Sequence, residues 1–338
     1  MATLVMRFDF RSPTFGRPMA DLYAAALDMA VFTEQHSFHT VFVSEHHMSE
    51  DGYLPSPLVM AGAIAARTSR INVTVSALLV PLYDPIRLAE DLAVLDHLSR
   101  GRVSHVVAIG YRPLEYAALG RNFARRGRTL EEHIALMRRA WTGEPFEHEG
   151  RRILVRPVPY TLPHPVLFCG GSSIAAARRA ARLDLPFYPQ RRDKAVRDAY
   201  HDERTRLGLP RGQVIPPPTP PLYVFVSEDP EATWARIGEH LLHDARGYAA
   251  WHLEAGLDSA ALEPGDSVAA LRRGSVYAVL TPEDCVALLL KRPVLSVHPL
   301  CGGLPPEVGW ETLHLIATKV QPALTEATRG ADAAGQNM

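Results

Sequence analysis

Short runs rich in Val, Ile and Leu alternate with Ala- and Leu-rich helical stretches about eight times along the chain, and this alternation limits the folds open to it. A run of four to eight apolar residues bounded by turn signals reads as a strand buried on both faces, the signature of a parallel sheet. Strands are predicted at 4–10, 40–44, 71–80, 103–109, 166–169, 185–188, 222–226 and 294–297. Between them lie helical stretches at 20–35, 57–67, 85–99, 113–119, 130–142, 175–183, 193–207 and 229–243, with further helices at 282–290 and 310–324. Eight such repeats specify an α/β chain and favour a (β/α)₈ TIM barrel over a doubly wound open sheet. The 338 residues suit one such barrel over 1–328. Residues 143–163, with room for a small hairpin, and 247–273, without a clear period, read as insertions at the C-terminal face; 329–338 reads as a flexible tail.

Composition removes several classes of function. A formal net charge of −1, with Lys and Arg dispersed, offers no electrostatic basis for nucleic-acid binding. The clusters at 125–128 and 191–194 read as solvated helix ends. Cys169, Cys285 and Cys301 are far apart, so neither a disulfide framework nor a thiolate zinc site is expected. No apolar run reaches the length of a bilayer span, and the first residues enter a strand without a signal-peptide layout. The expectation is a cytoplasmic protein with no membrane or nucleic-acid partner.

In a (β/α)₈ barrel, chemistry belongs on the loops after the C-terminal ends of the strands. The polar clusters of this sequence fall at those places: Arg11-Ser12, Glu45-His46-His47, Gly110-Tyr111-Arg112, Gly170-Gly171-Ser172-Ser173 and His298. After the fifth strand, two glycines permit a sharp turn and close approach of a ligand. Ser172 or Ser173 can cap the following helix. Backbone N–H groups, hydroxyls and the positive helix end suit a phosphate. Successive strand-end residues point to opposite sides, so only one of His46 and His47 is expected to face the barrel axis. An adjacent His pair lacks the further ligands of a zinc site, and no metal is expected. General acid–base work suits an imidazole better. Cys169, inside a strand, reads as an inert buried thiol.

Together these residues resemble the bacterial luciferase-like flavin monooxygenases. The resemblance is carried by Val-Phe-Val-Ser-Glu-His-His (41–47), the stretch 70–85 around Asn-Val-Thr-Val-Ser-Ala-Leu-Leu-Val, and 87–102 ending in Asp-His-Leu-Ser-Arg-Gly-Arg. Gly110, Glu115-Tyr116, Gly120 and Cys-Gly-Gly-Ser-Ser (169–173) continue it, and it returns with Leu280-Thr281-Pro282-Glu283 and Val320-Gln321-Pro322. The resemblance implies a barrel that holds FMN at its C-terminal mouth, with the phosphate at Gly171, Ser172 and Ser173 and Arg128 joining it. It also implies a cis peptide at Ser76-Ala77 under the flavin ring, Gly110 beside the cofactor, and His46 as the catalytic base. The implied activity is that of a two-component monooxygenase; deazaflavin-dependent hydride transfer is the alternative within the family, and a catalytically silent flavin-binding barrel is a third. A separate flavin reductase, a small organic substrate and a homodimer are implied with the first. Ala108 stands where luciferases carry a reactive cysteine, and 247–273 does not match their substrate region.

Overall fold

The computed structural model describes residues 2–217, 219–257 and 266–335, with side chains to residue 329. Its strands are β1 (Thr3–Phe8), β2 (Thr40–Val43), β3 (Asn72–Leu78), β4 (Val103–Val107), β5 (Phe146–His148), β6 (Arg151–Ile153), β7 (Val166–Gly171), β8 (Phe187–Pro189), β9 (Tyr223–Val226), β10 (Tyr277–Leu280) and β11 (Val294–Val297). Helices alternate with them, and the class is α/β as expected. The chain divides into two compact units: Met1–Val41, Glu50–Tyr53 and Thr219–Met338 make one, Phe42–Ser49 and Leu54–Pro218 the other.

In the second unit the strand order is β2-β3-β4-β7-β8, and the printed pairings of β3 with β4, β4 with β7 and β7 with β8 are parallel. Val73, Val75, Val103, Val107, Leu167 and Cys169 are buried along these strands, which is why their sequences run apolar with little alternation. The helix Pro57–Arg67 starts on a proline and buries Met60, Ala61, Ile64 and Ala65. The helix Pro85–Ser99 is capped by Asp84, whose carboxylate accepts from the N–H groups of Ile86 and Arg87. Both helices match their predicted bounds. The hairpin expected within 143–163 is β5 and β6, paired antiparallel. One helix begins earlier than predicted: Arg126–Ala140 takes in residues first read as a solvated end.

In the first unit the order is β10-β9-β11-β1, again parallel. Phe225, Trp234, Ile237, Leu241 and Leu271 form much of its core. Three expectations change here. The helix that starts after Asp229 runs to Glu254, and a further helix spans Val268–Arg273, so much of 247–273 is helical; residues 258–265 lie outside the described residues. β10, Tyr-Ala-Val-Leu, was not predicted. The final helix continues to Gly335 through most of the stretch read as a tail, and 336–338 lie outside the described residues. No helix among the described residues is long and apolar enough to cross a membrane.

Candidate functional site

The Glu-His-His triplet follows β2 directly, and two buried carboxylates divide its histidines between them. Glu115 Oε1 lies 3.2 Å from His46 Nδ1 and accepts the His47 backbone N–H at 3.0 Å. Arg112 donates to the His47 carbonyl at 2.7 Å, and its Nη1 is 3.6 Å from the same Glu115 oxygen. Burial alone would raise the Glu115 carboxyl, but His46, the His47 N–H and Arg112 together hold it below the ordinary range. Glu45 makes the second cluster. It accepts the Leu79 N–H and the Tyr83 hydroxyl, each at 2.7 Å, and lies 2.9 Å from His47 Nε2. Burial opposes protonation of His47, and the bond and charge of Glu45 outweigh it, so the imidazole titrates above its usual value.

His46 is buried against Glu115, with the Tyr111 ring edge-on at 5.8 Å between centroids. His47 lines a cavity of about 300 Å³ with Ser56, Leu58, Leu82, Tyr83 and Leu119. The Ser44 hydroxyl donates to the Ser76 carbonyl at 2.8 Å, and the Ser76–Ala77 peptide is cis, at the position the resemblance indicates. Gly110 follows β4 and faces the Leu79 and Tyr116 side chains.

The glycine–serine stretch departs from the expected turn. Gly170 and Gly171 belong to β7, paired with Tyr188 and Pro189 of β8. Gly171 has a φ of +149°, and a Cβ on it would come within 2.4 Å of the Ala176 Cβ, so glycine is required at this approach. Ser173 caps the helix Ile174–Arg182, its hydroxyl oxygen accepting the Ala176 N–H. Ser172 donates to Gln190 Oε1 at 2.9 Å.

This helix start opens on a cavity of about 630 Å³ lined by Ile109, Arg125, Arg126, Arg128, Ser173 and Arg179, among others. Arg128, the predicted phosphate ligand, reaches the lining but is three-quarters exposed and bonded to Glu132 at 2.7 Å. Arg179 is buried and Arg126 half-buried. The Nε of each is buried without a hydrogen-bond partner among the described residues, and Arg179 has Glu131 at 3.5 Å. Burial, and then the neighbouring Arg179 charge, hold the Arg126 guanidinium below its usual value despite Tyr116. Two crowded guanidinium groups with unused N–H directions, beside a capped helix N-terminus, fit a phosphate. Sequence reasoning missed both, although Arg126 lies in the cluster first read as solvated, and it missed Glu45 and Arg112 as the supports of the histidines.

A family model described as luciferase-like monooxygenase matches residues 6–291. An uncharacterised protein of Sinorhizobium fredii is 27% identical over 198 residues, 57% of this chain and 54% of that protein. The alkanal monooxygenase alpha chain of Photorhabdus laumondii is 24% identical over 182 residues, 52% of this chain and 50% of its own. The chain thus spans about half the length of these curated relatives. Among solved structures, the monooxygenase RslO1 of Streptomyces bottropensis has a TM-score of 0.71 at 21% identity, covering 95% of this chain and 99% of that one. The oxygenating constituent of 3,6-diketocamphane monooxygenase from Pseudomonas putida, in complex with FMN, has a TM-score of 0.68 at 18% identity over 95% and 98%. An F420-dependent secondary alcohol dehydrogenase has 0.63 at 14% over 96% and 99%. These likenesses show the shared (β/α)₈ fold, and the match of the family model over residues 6–291 shows the family: the chain belongs to the luciferase-like monooxygenases.

Proposed function

We propose that this chain is the oxygenase component of a two-component, FMN-dependent monooxygenase acting on a small organic substrate. The observation that carries the proposal is the cavity at the start of the helix Ile174–Arg182, where buried Arg179 and half-buried Arg126 each have an Nε without a hydrogen-bond partner among the described residues, beside Ser173. Those three residues would hold the FMN phosphate, with Arg128 at the rim and Gly171 and Ser172 shaping the approach. Ser76, Ala77 and Gly110 belong to the seat of the ring system. Reduced FMN, when bound, supplies the electrons with which O₂ is activated.

The chain's own part in the chemistry is proton movement at His46. An ionised Glu115 beside Nδ1 favours the tautomer that carries its proton there, which leaves Nε2 as the atom that accepts and returns a proton. Arg112 and the His47 N–H keep the carboxylate in place. A separate reductase would supply the reduced flavin, since no Gly-x-Gly-x-x-Gly follows a strand in this sequence. Three free, buried cysteines accord with a reducing cytosol, and the family resemblance adds a homodimer.

Deazaflavin-dependent hydride transfer is the second reading, favoured by the likeness to the F420-dependent dehydrogenase. Anaerobic titration with reduced FMN and with reduced deazaflavin, followed by an oxygen pulse under stopped-flow absorbance, separates the two. Binding of FMN with oxygen-dependent absorbance changes is expected. Tight binding of deazaflavin alone, with no response to oxygen, would transfer the assignment to the second reading. FMN should also bind at least about tenfold more tightly than riboflavin, because each charge-assisted bond to phosphate contributes roughly 1.5–3 kcal/mol. Equal affinities would remove the phosphate from this cavity.

A further inference from the structure

We propose that the first unit carries a transition-metal site of its own, built from Asp9, His298 and Cys301 and suited to Zn²⁺ or Co²⁺. Asp9 follows β1 and His298 follows β11, and these strands pair in parallel with Met6 opposite Val297. The carboxyl ends of two neighbouring strands therefore deliver a carboxylate and an imidazole side by side. Cys301 enters from the same turn as His298, its N–H donating to the His298 carbonyl at 3.1 Å. One ligand atom from each of the three residues lies within 4.8 Å of the others.

The turn that presents them is held from two directions. The Gly302 N–H donates to Asp9 Oδ2 at 2.9 Å, and the Gly302 carbonyl lies 2.8 Å from His240 Nδ1. Gly302 has a φ of +61°, and a Cβ there would collide with the His240 carbonyl at 2.3 Å, so only glycine permits the turn. Asp9, His298 and Cys301 are 1%, 4% and 0% exposed. His298 Nδ1 is buried with no hydrogen-bond partner among the described residues, an unmet demand that a metal bond answers.

Charges of both signs surround the cluster. Three buried or nearly buried carboxyl groups, Asp9, Asp51 and Asp244, act on the Arg11 guanidinium. Arg11 is committed to Asp51 at 2.6 Å and has Asp244 at 3.3 Å, and Tyr53, Tyr248 and Trp251 enclose its charge. His243 lies 2.7 Å from Asp51, and Arg7 is the further cation acting on His298. Neither is among the groups acting on Asp9, which has Asp244 and, in opposition, Arg11, whose backbone N–H donates to Asp9 Oδ1 at 3.1 Å. Thiolate, imidazole and carboxylate are the zinc donor set, and three protein ligands leave the fourth tetrahedral position open. The donor atoms, all within 4.8 Å of one another, would draw together on binding to reach tetrahedral spacing. Binding converts the Cys301 thiol to thiolate and releases its proton to solvent.

The test uses the full chain, freed of metal by chelator and free of flavin, titrated with Co²⁺ and read by absorption. Expected are one equivalent bound, a thiolate-to-cobalt charge-transfer band with visible bands of tetrahedral cobalt, and displacement by Zn²⁺. Cys301→Ser, with circular dichroism unchanged, should lose the charge-transfer band, and His298→Gln should weaken Co²⁺ binding at least about tenfold. Should Cys301→Ser fail to fold, the wild-type titration with His298→Gln decides the matter. Absence of a thiolate band in the wild-type chain would overturn the site, and so would a band that survives Cys301→Ser by arising at Cys169 or Cys285.

Discussion

Acidification should unfold this protein partly through one residue, His105. It lies in β4 between Val75 of β3 and Leu167 of β7, fully buried; neither ring nitrogen makes a well-formed hydrogen bond among the described residues, and only the Val166 backbone favours the charged ring. Burial disfavours the imidazolium and holds the ring at about 4, against an ordinary value of 6.5. Above pH 6.5 the ring is neutral in the folded and unfolded chain alike, and its full contribution to stability is present. Between pH 6.5 and about 4 the unfolded chain takes up a proton that the folded chain refuses. Stability then falls by about 1.4 kcal/mol per pH unit, to a total of about 3 kcal/mol. Below that range both states are protonated and the slope from this residue vanishes. Urea unfolding of wild type and His105→Leu at intervals from pH 7.5 to 4.0 measures the difference directly. The leucine variant should show the shallower loss, the two curves converging by about 3 kcal/mol across the window. Parallel curves would mean that His105 acquires a proton in the folded state at its ordinary pH, and the burial argument would fail.

Two further predictions concern the histidine triplet. His46→Asn should fold and bind FMN yet lose product formation by about a hundredfold or more, while His47→Asn should retain far more turnover; the reverse ranking in steady-state assays would move the proton-transfer role to His47. Glu115→Gln should lower kcat by about ten- to a hundredfold and displace the acid limb of its pH profile, because the uncharged amide no longer selects the His46 tautomer. A profile that keeps its wild-type shape in that variant would reduce Glu115 to a packing role.

What was legible in the sequence was mostly local. The helices at 57–67 and 85–99 carry proline at their first turn, and the second has an aspartate cap, signals that act within four residues. The place of the site was legible too, since Glu45-His46-His47 ends a recognisable strand. The partners of the histidines were not: Glu115 is 69 positions from His46, and Leu79 is 34 from Glu45, distances at which only the folded chain sets the pairing. Gly170 and Gly171 read as a turn because glycine is a poor strand former, but pairing with β8 carries β7 through them. Arg126 and Arg179 resemble any solvated arginines on helices until the helices Arg126–Ala140 and Ile174–Arg182 come together and set Arg179 against Gly127 and Glu131. β10 offers Tyr-Ala-Val-Leu, a weaker strand signal than the Tyr-Val-Phe-Val of β9 because alanine is a poor strand former.

The Glu45 carboxylate has a consequence for anyone who wishes to redesign this protein. It joins the end of β2 to the backbone at Leu79 and the ring of Tyr83 while also orienting His47. Residues 45, 47 and 83 therefore behave as one coding block. Changing any one of the three removes a partner of Glu45 or Glu45 itself, so substitutions there disturb the others. Their effects in combination should depart strongly from additivity, so a productive search varies the walls of the neighbouring cavity, such as Leu58 and Leu119, and leaves this block intact.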